Sequence, residues 1–511
     1  MKRWLNTMIG LSAVLLFFTG LTAQAQQPDD GAEATVNLLK DATTPQRDAS
    51  HSTMLLSLRQ LDDPALLPLF NALSNSAYLT MRIHGRLGSA SLSPQQRIDL
   101  STLAEIEDQR ELVQVLSAAI DDELIDNAGM ATLLTWDGLD LPLRQAIALR
   151  LVANGGTVDA TPFRVSLDLP LDNEPAAAKL LQYALAALLL AESGDDAGKA
   201  ALSKLVAQQG ETADAVIGQT LDAAMRQDLT TGGTLGLTIA KDAKRTPPLR
   251  LLAIQSALRL GTPGATKTWQ AMFREEQSSA QRIRLAMIAL DAADKVEPNL
   301  FDMLDNQGEW IGHIAKAGRA IANKDDDVAA AFAPLITTGQ PLSVQWVITH
   351  CQRDTPAYGP ALLELVIQHH GTGPSHHRGR MTQAGIDAAA ALCEHYPEQT
   401  DLLTALLNTS RDADLPIRQV TLMGIASARG DLTTLAKSLQ PDTHNDFTTA
   451  SLRLFIRARH EAPLTDDEWQ RVSDIVQGVG NLSPSMRLQL GWAYLKHKGV
   501  ADQAITKALL R

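Results

Sequence analysis

Four histidines form a local cluster whose residue type suggests a binding site. They are two pairs on either side of a Gly- and Pro-containing stretch, namely His369, His370, His376 and His377. Imidazoles that a turn brings together are ligands for zinc, copper or nickel. We therefore predict a metal site at these four residues. The alternative is a solvated, His-rich loop between helices, because no His-x-x-x-His spacing fixes two ligands on one helix face.

Residues 261–268 resemble a phosphate-binding loop only at first sight. Lys267 follows Thr266 where such a loop needs Gly, and the preceding residues predict a helix rather than a strand. We interpret this segment as a turn between helices. Motifs of the serine-hydrolase elbow, zinc-protease, haem-attachment and calcium-loop types do not occur in the sequence. The sequence thus predicts a protein that is not an enzyme and that uses no cofactor.

The chain has two cysteines, Cys351 and Cys393. In an oxidising compartment they could form a disulfide. They lie about one repeat apart but at different positions within their repeats. This difference favours a distance between their Cα atoms that is too long for a disulfide. Two buried free thiols are the simpler interpretation, because Cys is often a small apolar core residue.

One pattern recurs along most of the chain. A basic residue is followed by Ala, Leu and Ile at helical spacing and then by Gly or Asp, as in the copies that contain Arg144, Arg250, Arg284, Arg418, Arg453 and Arg487. The spacing is 34 residues from Arg250 to Arg284, 35 residues from Arg418 to Arg453, and 34 residues from Arg453 to Arg487. This period is typical of a repeated helical hairpin.

Each copy has a preceding helix and a clear stop. Gly155, Gly261, Gly430 and Gly499 come just after apolar helical runs, where a left-handed cap residue is favoured. The motif resembles the HEAT-like (armadillo-type) repeat family over most of residues 90–500. The last copy, around Trp492 and Tyr494, looks more like a tetratricopeptide repeat. Both resemblances imply an α-solenoid.

The recurring arginines allow two interpretations. Equivalent positions of a solenoid align, so the side chains could form a basic ridge for an acidic partner. In proteins of the resembling family, such an arginine pairs with acidic groups in the turn of a neighbouring repeat. The resemblance therefore implies structural ion pairs, with Asp412, Asp414 and Asp431 as partners, and we favour this interpretation.

Residues 157–175 depart from the pattern. Phe163, Val165, Leu167 and Leu169 alternate with polar residues, as in a strand. We predict an extended loop that replaces a first helix. An irregularity of this kind often lies at a binding face.

The first 25 residues have the features of a secretory signal peptide. Lys2 and Arg3 precede an apolar core, and small residues lie at Ala23 and Ala25. We predict cleavage after Ala25 and a periplasmic or secreted protein. The apolar core is too short for a membrane anchor, and the mature chain contains no segment that predicts an integral membrane helix.

Composition narrows the range of partners. The net charge is −13, and removing Lys2 and Arg3 with the leader makes it −15, with basic residues spread singly. This distribution argues against nucleic acid, which needs clustered cations. Hydrophobic residues make up 45% of the chain and aromatic residues only 4%, a composition typical of closely packed helices.

Together these observations predict an all-α chain. We expect a signal peptide at 1–25, a polar linker or N-terminal cap at 26–50, and a right-handed superhelix of roughly 11–12 hairpins at 51–511. The expected function is a protein-protein interaction scaffold, in which the second helices line a concave groove for a protein or peptide. Apolar and Met-bearing surface would make the contacts, with Trp269, Trp310, Trp346, Trp469 and Trp492 either as contacts or as core residues. The alternative function is a metal-handling or redox-associated module that uses the His-rich segment 369–377.

Overall fold

The structure is a computed structural model that describes residues 31–44, 49–93, 95–171, 176–325, 328–337, 341–352, 358–369, 378–410, 415–427, 432–439, 447–460, 462–480 and 482–510. The secondary structure of this part of the chain is helical, and none of it is a β-strand. The predicted all-α class is therefore confirmed. In the part of the chain described, none of the helices combines the length and the apolar character that a bilayer crossing requires.

The helices of the first half alternate with short turns. They are α1 Gly31–Thr43, α2 Ala49–Arg59, α3 Leu67–Ser74, α4 Leu79–Ser91, α5 Leu100–Ala104, α6 Gln109–Asp121, α7 Asn127–Leu133, α8 Leu141–Ala153, α9 Ala177–Glu192, α10 Asp196–Ala207, α11 Glu211–Arg226, α12 Thr230–Lys241 and α13 Pro247–Arg259. Short 3₁₀ helices occur at Pro64–Leu66 and Thr161–Asp168.

The second half continues in the same way. Its helices are α14 Ala265–Glu275, α15 Ser279–Asp291, α16 Glu309–Asn323, α17 Val328–Thr337, α18 Pro341–His350, α19 Gly359–Gln368, α20 Arg378–His395, α21 Thr400–Ser410, α22 Leu415–Ser427, α23 Thr433–Ser438, α24 Phe447–Arg459, α25 Asp466–Gln477, α26 Pro484–Lys498 and α27 Ala501–Leu509. Here 3₁₀ helices occur at Ala293–Lys295 and Pro298–Leu304.

Many of these helices begin at an Asp, Ser or Thr whose side chain accepts a hydrogen bond from a free backbone N–H. Asp108, Asp140 and Asp195 do so at the starts of α6, α8 and α10. Thr465 and Glu468 form a reciprocal capping box at the start of α25. These local signals explain where the helices start, because each cap satisfies a donor that the helix itself cannot pair.

The described residues form two compact units. Unit 1 contains the described residues up to Leu124 and the described residues from Tyr396 onward, so it is built from both ends of the chain. Unit 2 contains those within Ile125–His369 and Gly379–His395.

In unit 2, helices pack in an alternating order along the chain. Helices α9, α11, α13 and α15 each contact the next in this series, and α10, α12 and α14 do the same. We call α9, α11, α13 and α15 the second helices, because α13 and α15 carry Arg250 and Arg284 of the repeated motif. Fully buried alanines on the second helices allow this close approach, namely Ala184, Ala187, Ala224, Ala253, Ala257, Ala286 and Ala289.

The contact between α12 and α13 depends on a glycine. A Cβ placed on Gly236 would lie 2.5 Å from the carbonyl oxygen of Ala253. Because that oxygen belongs to the backbone, it cannot move aside as a flexible side chain could. Gly236 therefore lets the two helices of this hairpin approach more closely than any other residue would.

Unit 1 joins the two ends of the chain. Helix α1 packs on α25, α26 and α27, and α2 packs on α26. The Gln489 side-chain amide donates to the Ser57 carbonyl at 2.7 Å, and the Trp492 indole N–H donates to Asp63 at 2.9 Å. Residues 31–43, within the stretch that we expected to be a polar linker or cap, thus form a helix with a buried face.

Residues 157–175 are not an extended loop where the structure describes them. Residues Thr161–Asp168 form a 3₁₀ helix, which Pro162 favours at its start. Just before it, the Asp159 carboxylate accepts from the Thr161 N–H at 3.0 Å. The prediction of extended backbone was wrong because the alternating apolar residues are not equivalent. Phe163 enters the core and Leu167 packs beside it, whereas Val165 is 62% exposed.

Candidate functional site

The predicted metal site lies largely outside the described residues. His370, His376 and His377 are outside them, and His369 is described as a buried residue just after α19. Burial lowers the pKa of His369, and the Ile336 backbone carbonyl opposes this effect because it favours the imidazolium as a donor. Within the described ranges, no three His, Cys, Asp or Glu side chains come together as metal ligands. The four-histidine site therefore stays a prediction.

His350 belongs to an aromatic cluster in unit 2. Its ring stacks on Trp346 with centroids 4.4 Å apart and lies 5.0 Å from the ring of Tyr358, while Phe332 packs edge-on at 5.9 Å. This environment explains why an imidazole is stable at 2% exposure, since flat rings pack closely on one another.

The two cysteines are buried and are not joined by a disulfide. This confirms the simpler of the two interpretations. Burial raises the pKa of the Cys393 thiol to about 12, because the surrounding apolar side chains disfavour the thiolate. A thiol with so little thiolate at neutral pH is a poor nucleophile and a poor soft-metal ligand.

A Ser–His pair that sequence reasoning missed lies in unit 1. The Ser52 hydroxyl is 3.1 Å from Nε2 of His84, although the two residues are 32 positions apart. Burial lowers the pKa of His84 to about 4, and the charges of Arg59 and His51 add to this effect. An imidazole with this pKa is a weak base, and Nδ1 of His84 has no hydrogen-bond partner among the described residues. The pair is therefore poorly suited to activate a nucleophile.

Where the structure gives their bonds, the repeated arginines donate to backbone carbonyls. Nε of Arg250 donates to the Ala240 carbonyl at 3.1 Å, and Arg487 donates to the Val476 carbonyl through Nε at 3.1 Å and a terminal nitrogen at 2.7 Å. Arg144 donates to the Trp136 carbonyl, which lies beyond the end of α7. For these three arginines the hydrogen bonds go to carbonyls and not to the acidic groups that we expected, while Asp412, Asp414 and Asp431 lie outside the described residues.

The physical reason is local geometry. Ala240 and Val476 lie in the last turns of α12 and α25, where backbone carbonyls have no partner within the helix. A guanidinium on the following helix reaches these carbonyls and also interacts favourably with the negative end of the helix dipole. The motif thus fastens the two helices of one hairpin rather than forming a basic ridge.

Ion pairs with buried partners also occur at positions that the repeat pattern does not mark. Glu111 is 3% exposed and accepts from Arg82 at 2.5 Å and from Arg86 at 2.8 Å. Arg245 is similarly buried and lies 2.6 Å from Asp214. Such pairs fix how neighbouring helices meet, because either charge alone would be costly to bury.

The second helices carry apolar side chains that the core does not fully cover. On α13, Leu251 and Leu252 are half-buried beside five fully buried apolar residues. On α15, Ile283, Met287 and Ile288 are half-buried in the same way. We name Leu251, Leu252, Ile283, Met287 and Ile288 the second-helix surface.

Polar contacts link the two helices at this surface. The Gln255 amide donates to Asp291 at 3.2 Å, and Arg259 lies 3.7 Å from the same carboxylate. Helical spacing puts Leu252 on the face of Gln255, and Met287 on the face of Asp291. The second-helix surface is therefore an apolar area that adjoins a fixed polar contact, an arrangement that suits protein recognition.

The tryptophans contribute less to this surface than we expected. Trp269 is fully buried and its indole N–H donates to the Leu285 carbonyl at 2.8 Å. Trp492 is buried as well, and Trp310 donates to the Ser343 hydroxyl at 2.5 Å. Trp269 and Trp492 are thus core residues, as the alternative interpretation proposed.

Comparison with known proteins finds no matching family model, no matching curated protein and no matching solved structure.

Proposed function

We propose that this protein is an exported bacterial scaffold that binds a protein partner through its second-helix surface. The observation that carries the proposal is the series α9, α11, α13 and α15, in which successive helices pack side by side and leave Leu251, Leu252 and Met287 half-buried. Two adjacent helices, α13 and α15, that leave apolar side chains partly accessible provide contact area of the kind that a specific interface needs.

The fold that we propose for the chain is an α-solenoid of HEAT-like hairpins that ends in a tetratricopeptide-like hairpin. Two features support it, namely the 34- to 35-residue spacing of the arginines and the shared capping role of Arg250 and Arg487. We propose a right-handed superhelix of about 11–12 hairpins, as the resemblance implies. The leader at 1–25 supports a periplasmic or secreted location.

The side chains suit a protein rather than a nucleic-acid partner. Leu, Ile and Met give a surface that adapts its shape to an apolar helix or strand, and Met is the most adaptable of these residues. Two of the basic residues near this surface are already engaged, since Arg259 pairs with Asp291 and Arg282 donates to Gln307 at 2.6 Å. A phosphate backbone would need several free cations here.

The proposal is tested by capturing the partner with the tagged full-length chain and two matched variants. Met287→Glu places a charge within the second-helix surface, while Lys267→Glu changes an exposed residue of the first helix α14. After in-cell crosslinking and mass spectrometry, we expect one protein to be recovered with the wild type and with Lys267→Glu. Recovery with Met287→Glu should fall at least about tenfold, since burying an unpaired charge costs more than 1.4 kcal/mol.

Thermal melting of both variants controls for unfolding. Equal recovery from the folded Met287→Glu variant would contradict the proposal. Recovery of zinc or copper in place of a protein, with the metal lost when His369, His370, His376 and His377 are changed, would support the metal-handling function instead.

A further inference from the structure

Helix α2 lies where the two ends of the chain meet within unit 1. It packs on α1, α4 and α26. Its Ser57 carbonyl accepts the Gln489 side chain at 2.7 Å, and just beyond its end Asp63 accepts the indole of Trp492 and lies 3.1 Å from the Lys496 ammonium. A change in how α2 packs is therefore passed directly to α26.

Two histidines and an arginine share the interface between α2 and α4. His51 is 5% exposed, and its Nε2 has no hydrogen-bond partner among the described residues. His84 on α4 contacts the Ser52 hydroxyl at 3.1 Å, and both His51 and Arg59 act on it electrostatically. Arg59 is held by Asp122 at 2.6 Å. A proton added to the His84 imidazole would thus come close to the positive charge of Arg59.

The helices at this interface carry no negative charge that could compensate an added proton. Helices α2, α4 and α26 contain no Asp or Glu, and their other charged residues are Arg59, Arg82, Arg86, Arg487, Lys496, His497 and Lys498. The carboxylates that interact with the charges of these helices come from α1, from α6 and from loops, namely Asp41, Asp63, Asp108, Glu111 and Asp122. Asp63, Glu111 and Asp122 already bind Lys496, the Arg82–Arg86 pair and Arg59, Asp108 lies 3.9 Å from Arg82, and Asp41 acts on Arg487.

We propose that α2, α4 and α26 form an acid-sensitive latch, which holds the two ends of the chain together at neutral pH and opens when His84 becomes protonated. The three helices pack closely because the His84 imidazole is neutral and apolar residues of α2, such as Met54, Leu55 and Leu58, stay buried. Protonation would add a positive charge to an interface whose own helices are all cationic, and like charges in a poorly hydrated interface repel strongly.

The direction of the pH effect follows from linkage. Burial lowers the pKa of His84 to about 4, whereas an exposed imidazole has a pKa near 6.5. Between these values the opened state binds more protons than the closed state, so acidification favours opening. For this pair of values the equilibrium constant for opening rises about 20-fold between about pH 7 and about pH 5. Below about pH 4 the equilibrium constant for opening stops rising.

Hydrogen-deuterium exchange on the full chain, corrected for the intrinsic pH dependence of exchange, tests the latch. We expect protection of amides in α2, α4 and α26 to fall about 20-fold from about pH 7 to about pH 5, while α9 to α15 in unit 2 keep theirs. In the double variant His51→Gln and His84→Gln, α26 should be equally protected at both pH values. A His313→Gln variant, altered in α16 of unit 2, should respond like the wild type.

Three outcomes would overturn the proposal. The first is wild-type protection of α26 that does not change with pH. The second is loss of protection by all helices together, which would indicate general acid unfolding. The third is an unchanged acid response in the double variant, or in His84→Gln alone if the double variant does not fold.

Discussion

The arginine of the repeated motif acts at the scale of one side chain and two helices. In the hairpins with Arg250 and Arg487 it reaches a carbonyl in the last turn of the preceding helix. Burial lowers the pKa of Arg487, an effect that the charge of Asp41 opposes. The guanidinium stays charged because its bonds to the Val476 carbonyl replace lost hydration.

Removing this cap should destabilise the protein. We expect Arg487→Ala to lower the free energy of unfolding by about 1–2 kcal/mol, because two hydrogen bonds to Val476 are lost and a helix-end carbonyl stays buried without them. Arg284→Ala is the matched control, since Arg284 occupies the same motif position but is exposed. It should change stability by less than about 0.5 kcal/mol.

Urea denaturation followed by circular dichroism measures both variants. Equal effects of the two substitutions would show that the motif arginine does not stabilise the hairpin through its bonds to the helix end.

At the residue scale, the sequence predicted which positions matter but not what they bind. The 34-residue spacing marked Arg250 and Arg487 correctly as structural. Their partners were missed because a backbone carbonyl has no sequence signature, whereas an aspartate has one. The Ser52–His84 contact was missed for a related reason, since residues 32 positions apart on different helices share no local pattern.

At the scale of helices, small residues decide how closely α1 approaches α26. A Cβ on Gly491 would lie 2.4 Å from Oγ1 and 2.7 Å from Cγ2 of Thr35. Gly491→Ala should therefore separate the two helices and destabilise unit 1 by about 1–3 kcal/mol, despite the better helix propensity of Ala.

A matched substitution in unit 2 should have the opposite effect on stability. A Cβ on Gly218 of α11 would meet only Leu252 Cδ2 at 3.5 Å and Leu249 Cδ1 at 3.9 Å, which are ordinary contacts. Gly218→Ala should stabilise the protein by up to about 1 kcal/mol. Melting curves of the two variants provide the comparison. Similar destabilisation by both would contradict this account of the α1–α26 contact.

Helix boundaries were the most predictable feature at this scale. Apolar runs followed by Gly155, Gly261 and Gly499 do end helices, and each of these glycines has a positive φ. The segment at Thr161–Asp168 was not predictable from alternation alone. A buried Phe163 and an exposed Val165 look alike in sequence, and only packing against α9 distinguishes them.

At the scale of the whole molecule, the repeat spacing predicted the helices but not their grouping into units. A regular period describes each hairpin and its neighbours. It carries no information about contacts between residues more than 400 positions apart, such as Ser57 with Gln489 or Asp63 with Trp492. Unit 1 depends on these contacts, so its composition from both ends of the chain could be learned only from the structure.

The central claim is that the second-helix surface binds a protein. Site-specific photo-crosslinking tests it most directly, with the photoreactive residue placed either at Met287 on α15 or at exposed Lys267 on α14 of the full-length, exported chain. We predict a discrete crosslinked product, containing one partner protein, from position 287 and none from position 267. The same product from both positions, or from position 267 alone, would contradict the claim.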